Sequence, residues 1–487
     1  MKKSFVFNVF FLVFVNILIK PFWIFGIDRT VQNTLGSSEY GMYFAIFNFT
    51  YLFQILLDFG FQNYSNREVA ADTKRINDLL PSILIFKTAL MIVYLVACIA
   101  VAYPMGYLSK PFIWVILVNQ ILLSFNIYLR SNISAHQHFI TDALLSVLDK
   151  LLMIVFCSIL IWGNIPSFPL SIFNFAVAQL VAYFITFLVC LFFVFLLTEN
   201  LVITISLPYF KAIARETMPY AIIYFLMTTY YRIDGVMLEK LQGSNGAAES
   251  GIYAQGYRIM EALNNIGYLF AGILLPLFSY RIAQKIEIKS LLKLGFSIIY
   301  CIAVSVIIGL FAYKQVIMQL LYSATENVHY SAEVFGYLLL NFFPVALLYV
   351  VGTLLTANKN FKWMIYTLVV AVLLNISLNV YLITNSGAKG AGQATLITQL
   401  FMLLVYSIYC VRIFNLSFSI HYFIRLIAFA ALCIFAIYIL GKYRFTANQL
   451  YDMMLHLTCY FSLIPFFAFV SGLIDKQTFQ LKVGISK

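Results

Sequence analysis

Several ionisable side chains fall well inside apolar stretches of this 487-residue chain: Lys20, Lys87, Lys150, Arg232 and Arg258. Charge in hydrocarbon is costly, so such groups normally face a bundle interior or a wet cavity. Arg258 and Glu261 are three residues apart, and Glu261 and Asn265 four apart. On a helix all three share one face, with Gln255 a turn earlier. Arg232 and Asp234 are two apart and point in different directions. Asn48, Tyr51, Gln54 and Asp58 form a second polar lane, and Asn119, Asn126 and Arg130 a third. Asp28 and Arg29 follow the first apolar run. Arginine forks clamp phosphate oxygens, and Tyr, Asn and Gln match sugar hydroxyls. Lining a hydrophilic cavity, these groups suit a sugar-phosphate ligand. The same acids, Asp234 or Glu261, would also serve as the titrating group of a proton or cation site. A plainer reading stands beside both: Arg258 and Glu261 neutralise each other between helices. For Asp58 and Arg130, near helix ends, an interface anchor or intracellular gate contact competes with substrate contact. Lys87 and Lys150 have stems long enough to snorkel, and an anchor role leads for them.

Other chemistry is missing from the sequence. It contains no GxxxxGK[ST] loop and no HExxH motif. His136 and His138 sit two apart in a short loop, and His456 and Cys459 supply only two ligands, so neither pair points to a metal. The seven cysteines lie singly in apolar runs and read as small buried hydrophobes, not disulfide partners. We expect no cofactor, no metal and no covalent catalysis.

The elements that must position the polar lanes follow from composition. Hydrophobic residues make up 63% of the chain and charged residues 10%. Soluble domains carry about 25% charged residues, so this chain lacks the polar surface for a cytosolic enzyme. Apolar runs recur at 5–27, 39–61, 79–101, 111–131, 142–162, 170–197, 216–238, 250–278, 291–311, 329–356, 362–384, 388–410, 421–440 and 450–473. Each can cross a ~30 Å hydrocarbon core, giving an all-α polytopic membrane protein with about fourteen transmembrane helices. The first run follows Met1-Lys2-Lys3 without a small-x-small cleavage site and reads as a span, not a leader. With the N-terminus inside, most of the 31 Lys and Arg fall in cytoplasmic loops, tails and helix ends, with both termini cytoplasmic. The net charge of +12 is therefore mostly topological, not a nucleic-acid stripe. Trp23, Trp114, Trp162 and Trp363 fall near span ends, where such rings favour the headgroup level. No inter-span loop has room for a soluble catalytic domain.

An internal repeat organises the spans. Gly26-Ile27-Asp28 leads through Leu35-Gly36 to Tyr40-Gly41-Met42-Tyr43. Arg232-Ile233-Asp234 leads through Leu241-Gln242-Gly243 to Ser250-Gly251-Ile252-Tyr253. Matching the first span to the seventh gives two parallel six-helix lobes, 1–197 and 216–410, joined by a cytoplasmic linker at 198–215. Residues 411–487 add two helices and a cytoplasmic tail. Lobes related by an axis along the membrane normal suit alternating access. Pro219, Pro276, Pro344 and Pro465 lie within or near the ends of spans, where proline bends a helix.

Over roughly residues 5–410 the chain resembles the Wzx-type polysaccharide flippases. These carriers of O-antigen and lipid-linked oligosaccharide belong to the superfamily that includes multidrug exporters and lipid II flippases. The matching passages are Arg29-Thr30 through Leu35-Gly36, Tyr40-Gly41-Met42-Tyr43, Leu57-Asp58-Phe59-Gly60-Phe61 and Asn66-Arg67-Glu68. In the second half they are Asp234, Gly251-Ile252-Tyr253-Ala254, Arg258-Ile259 and Leu275-Pro276-Leu277-Phe278-Ser279. The resemblance implies a carrier, not an enzyme. Its substrate would be an undecaprenyl-diphosphate-linked oligosaccharide, moved from the cytoplasmic to the periplasmic leaflet of a bacterial inner membrane. It implies coupling to a gradient of H+ or Na+, membrane lipids as surroundings, and polysaccharide assembly proteins, as in lipopolysaccharide synthesis, as partners. Arg29, Arg232 and Arg258 become candidate lumen arginines. Asp58, Arg67 and Asp234 become motif residues. Asp234 and Glu261 would add acids to a lumen that is cationic elsewhere in the family. An ion-coupled drug exporter of the same fold and a membrane glycan polymerase or ligase are the alternatives. The short loops weigh against the polymerase or ligase.

Overall fold

The computed structural model describes residues 15–16, 18–163, 165–203, 207–323 and 327–474. The part of the expected first span before residue 15 lies outside the described residues. Helices account for nearly everything described, and no strand occurs among the described residues. With no water in the bilayer core, the helix satisfies its own backbone polar groups. Ten described helices are long and apolar enough to cross a membrane. The count is eleven if the bent pair Leu18–Leu52 and Ile55–Ala71 is one span.

The fold divides between Ala254 and Gln255 into two compact units. Among the described residues the first unit is helical from Leu18, passes through a π-helical turn, Trp23–Asp28, and continues as α1, Arg29–Leu52. Where a loop was expected between the first two spans the chain stays helical, broken only at Gly36 (φ 81°, ψ 167°). The expected span 39–61 is in turn interrupted. Helix α1 stops at Leu52, a short α2 covers Ile55–Asp58, and α3 restarts at Phe61–Ala71. Phe59 (φ 48°) and Gly60 (φ 82°) make the left-handed break, and a Cβ on Gly60 would lie 2.9 Å from Thr217 Cβ. Four regular helices follow: α4 Ile76–Ala102, α5 Phe112–Ala135, α6 Phe139–Trp162 and α7 Ile172–Phe195.

Helix α8, Leu207–Leu241, is continuous across the expected 216–238 span. It is not among the ten apolar helices; Lys211, Arg215, Glu216, Arg232, Asp234, Glu239 and Lys240 all lie on it, along with a run of Thr and Tyr. Its start falls within the expected 198–215 linker. There Ile213 is buried in a core with Phe61, Ile76 and Leu129, and the Phe210 and Phe86 rings meet at 4.5 Å.

Helix α9, Gly246–Ala283, leads into the second unit. There follow α10 Lys289–Ala312, a short α11 Lys314–Leu321, α12 Val328–Ala357 and α13 Phe361–Ile413. Helix α13 contains two expected spans. The chain reverses at Gly387 (φ 56°, ψ −136°), and a Cβ on Gly390 would lie 2.0 Å from the Leu382 carbonyl oxygen. The last pair is α14 Ile420–Leu440 and α15 Gln449–Val470.

Trp114, Trp162 and Trp363 are exposed near helix ends as expected, but Trp23 is buried, stacked on Phe175 at 6.1 Å. Six of the cysteines are buried, Cys459 is exposed, and all are free thiols.

Candidate functional site

In the first unit the two repeat aspartates are both interior, each 1% exposed. Asp28 accepts the Tyr40 hydroxyl at 2.8 and 2.9 Å and Gln32 Nε2 at 3.0 Å. Asp234 accepts the Tyr253 hydroxyl at 2.6 Å. A tyrosine beyond the break reaches each acid, but from different places: Tyr40 precedes Gly41, whereas Tyr253 follows Gly251. The counterpart of Tyr253 is Tyr43, whose hydroxyl donates to Gln179 Oε1 at 3.0 Å.

The two repeat glycines make a reciprocal contact. A Cβ on Gly41 would lie 1.8 Å from the Ala247 oxygen, and one on Gly251 would lie 1.9 Å from the Ser37 oxygen. Each glycine thus faces the carbonyl one turn before the other, so α1 and the start of α9 touch backbone to backbone. Small residues permit such approach between membrane helices.

Arg232 projects from α8 toward α1. Its guanidinium lies over the Tyr51 ring at 4.7 Å and donates to Asn48 Oδ1 at 3.2 Å. The Tyr51 and Tyr224 hydroxyls meet at 3.2 Å. Helix α8 comes close because residue 235 is glycine; a Cβ there would be 2.8 Å from the Phe44 ring. A cation over an aromatic face is worth about 0.5–2 kcal/mol, more when desolvated. Tyr51 and Asn48 are thus two of the groups that hold the guanidinium.

The motif around Asp58 is built differently from the expectation. Lys87 does not snorkel: its side chain is 0% exposed. Its ammonium donates to the Leu57 carbonyl at 2.7 Å and Ser124 Oγ at 2.8 Å, and stands 3.6 Å from Asp58 Oδ1. It caps the chain where the α2 ladder breaks. Lys150 is likewise drawn inward, 3.2 Å from Asp149 and between the Trp23 and Tyr183 rings. Arg67 is 59% exposed and pairs with Glu216 on α8 at 2.8 Å. Arg130 pairs with Asp142 at 2.9 Å. Arg29 is half-buried at the first position of α1. Asn119 and Asn126, expected to face a cavity, are buried instead. They donate to the Ala176 and Tyr183 carbonyls at 3.1 and 3.0 Å, fastening α5 to α7. Seven residues separate the two donors and seven the two acceptors, so the two helices run parallel.

In the second unit Arg258 and Glu261 form the expected pair at 2.9 Å. Asn265 turns back onto its own helix, donating to the Glu261 carbonyl at 3.0 Å. Gln255 faces inward, accepting from Ser331 at 3.0 Å and, through its carbonyl, from the Tyr322 hydroxyl at 3.3 Å. The sequence reading missed a buried polar ladder on α13. Asn379 Nδ2 donates to Asn375 Oδ1 at 3.0 Å, and neither residue is exposed. Their four-residue spacing was the available signal. It also missed the Lys389–Glu333 pair at 2.9 Å, which ties the α13 turn to α12.

No group of three or more metal-ligating side chains occurs among the described residues. The family model for polysaccharide biosynthesis proteins matches residues 5–282. The chain belongs to that family. Among curated proteins none matches it by sequence. The fold of this family member is shared with solved transporters at low identity. A lipid II flippase MurJ in an inward closed conformation superposes with TM-score 0.74 at 13% identity, covering 94% of this chain and 98% of the other. An inward-facing multidrug resistance MATE family transporter of the MOP superfamily gives 0.61 at 16%, covering 83% and 99%. A mutant form of the Vibrio cholerae MATE transporter VcmN gives 0.56 at 13%, covering 84% and 98%. The family member therefore has the polytopic, flippase-like transporter fold.

Proposed function

We propose that the chain is a flippase for a lipid-linked oligosaccharide. The diphosphate-sugar headgroup passes through a wet cleft while the polyprenyl tail stays in the bilayer. Undecaprenyl diphosphate is the carrier, and the direction is from the cytoplasmic to the outer leaflet of a bacterial inner membrane. Two six-helix lobes, 1–197 and 216–410, alternate access about the 198–215 linker, with residues 411–487 as an added pair of helices and a tail. A gradient of H+ or Na+ supplies the work, and Asp234 and Glu261 are the acids suited to couple to it.

The observation that carries this reading is the polysaccharide biosynthesis family match over residues 5–282, joined to a fold shared with a lipid II flippase over 94% of the chain. The MATE exporter covers 83% of this chain. The difference, about a tenth, is the size of a helix pair, and a drug exporter would need only the twelve core helices. Arg232 supports the choice of a phosphate-bearing substrate: its planar guanidinium, over Tyr51 and beside Asn48, is of the type that contacts phosphate in a bidentate way.

The test is leaflet transfer in vesicles containing the purified protein and a fluorescent undecaprenyl-diphosphate oligosaccharide. Transfer several-fold above protein-free vesicles, reduced at least tenfold in Arg232→Gln, is expected. Equal transfer with and without protein ends the proposal. Transfer of a cationic dye but not of the lipid-linked sugar moves the assignment to the exporter.

A further inference from the structure

The second unit carries a polar pocket of about 870 Å³ that the transport reading does not use. It opens where α10 ends at Ala312, α14 ends at Leu440 and α15 begins at Gln449. Three membrane-crossing helices terminate at its rim, which sets it at the lipid–water boundary. No lining residue belongs to α9, so it stands apart from Arg258 and Glu261.

His456, 2% exposed, forms the floor. Its Nε2 is 2.9 Å from the Tyr443 carbonyl, an acceptor only, so Nε2 donates. In the neutral ring Nδ1 then accepts the Tyr313 hydroxyl at 2.6 Å. Burial and the Asp452 carboxylate push the Tyr313 phenol up, so its proton stays on. Asp452 Oδ1 accepts the backbone N–H of Phe445 at 2.7 Å and of Thr446 at 3.2 Å, pinning the loop between α14 and α15. That pinned loop presents Lys442 and Arg444 to the pocket, both exposed.

These two cations differ from four of those described above. Arg67, Arg130, Arg258 and Lys389 each have a carboxylate within 3 Å. Neither Lys442 nor Arg444 has a carboxylate within 4 Å among the described residues, although Asp452 of the same pocket attracts Arg444 from farther off; Lys442 rests over the Tyr438 ring at 4.5 Å. From the rim an apolar face runs down α14 through exposed Tyr438, Phe435 and Ile434. Two cations above an apolar wall match a molecule with a phosphate at one end and hydrocarbon at the other.

We infer that this pocket binds the phosphate of an anionic lipid, with Lys442 and Arg444 as its ligands and the acyl chains lying along α14. Gln315, Gln319 and Gln449 line the same pocket and supply donors for headgroup hydroxyls. The lipid is favoured over free phosphate because the apolar face is continuous with the rim.

The purified full-length protein in mild detergent, mixed with phosphatidylglycerol or phosphatidylcholine of the same chains, provides the test. Phosphatidylglycerol should raise the thermal unfolding midpoint several degrees more than phosphatidylcholine does. The difference should fall by at least half in K442Q/R444Q and be largely kept in R444K. Millimolar inorganic phosphate alone should not shift the midpoint. An equal phosphatidylglycerol effect in the wild type and K442Q/R444Q, or no preference in the wild type, overturns the site. A phosphate shift as large as that of the lipid overturns the lipid assignment in favour of a free-anion site. If the double variant does not fold, native mass spectrometry on R444Q gives the same decision. Loss of one retained phosphatidylglycerol relative to the wild type supports the site, and equal retention refutes it.

Discussion

A buried ammonium has three protons to place, and Lys87 places them on the Leu57 carbonyl, Ser124 Oγ and, more distantly, Asp58. Removing one partner of a buried charged set is expensive, about 3–5 kcal/mol when the rest is left uncompensated. Lys87→Ala should therefore lower the thermal unfolding midpoint markedly. Asp58→Asn should lower it less, by an amount nearer ~1 kcal/mol, because two acceptors remain. Melting curves of the two variants decide this, and the reverse order would refute the assignment. A second expectation concerns Arg232. Lysine keeps the charge but loses the planar fork over Tyr51. Arg232→Lys should leave the stability within about 0.5 kcal/mol of wild type yet depress lipid-linked sugar transfer at least tenfold. A variant as active as wild type would remove the fork from the mechanism. Residue-scale legibility split along one line. Arg258 and Glu261 share a helix, so their pairing could be read from spacing. Lys87, Asn119 and Asn126 have partners on other helices, and no local pattern gives those partners away.

At the scale of elements, glycine decided most of what a hydropathy pattern could not. The 39–61 run is uniformly apolar enough to read as one span, yet it stops at Leu52, resumes at Ile55–Asp58, and is broken again where Phe59 and Gly60 turn left-handed beside Thr217. Irregular backbone at that depth persists only where protein or a wet cavity supplies partners, and Lys87 is such a partner. The Gly-x-Tyr repeat was legible as sequence, but that its two copies would face each other was not. The reciprocal contact yields a prediction. Gly41→Ala and Gly251→Ala each push a methyl into a carbonyl less than 2 Å away. Each should cost about 1–3 kcal/mol by overpacking. The double variant should cost less than the sum, since once the helices have separated the second methyl finds space. Additive losses would show that the two glycines act independently.

For the whole molecule, composition alone identified a multi-pass membrane protein. About fourteen spans were expected, and ten or eleven described helices qualify. The shortfall has physical causes. Helix α8 is helical but too polar, α13 fuses two expected spans through Gly387, and part of the first span lies outside the described residues. Sidedness remains a prediction from the basic loops. In a cysteine-free background, Lys285→Cys should react with an impermeant maleimide only from the cytoplasmic face, and Arg444→Cys only from the outer face. Labelling of both from one side would invert or break the scheme.

The burial of Lys87 also constrains how the chain can be made. It is near the middle of α4, and its two shortest hydrogen bonds go to Leu57, before that helix, and Ser124, after it. Helix α4 is made before α5, so it first carries an ammonium whose Leu57 and Asp58 partners exist but whose Ser124 acceptor does not. A lysine at a helix centre costs about 2.5–3.5 kcal/mol on insertion. The rest of α4 is strongly apolar and offsets that cost. Helix α5 then arrives to complete the coordination and fix α4 in place. Membrane insertion of α4 and its final docking are thus separate events in the life of the nascent chain, and Ser124 links the second to the completion of the next helix.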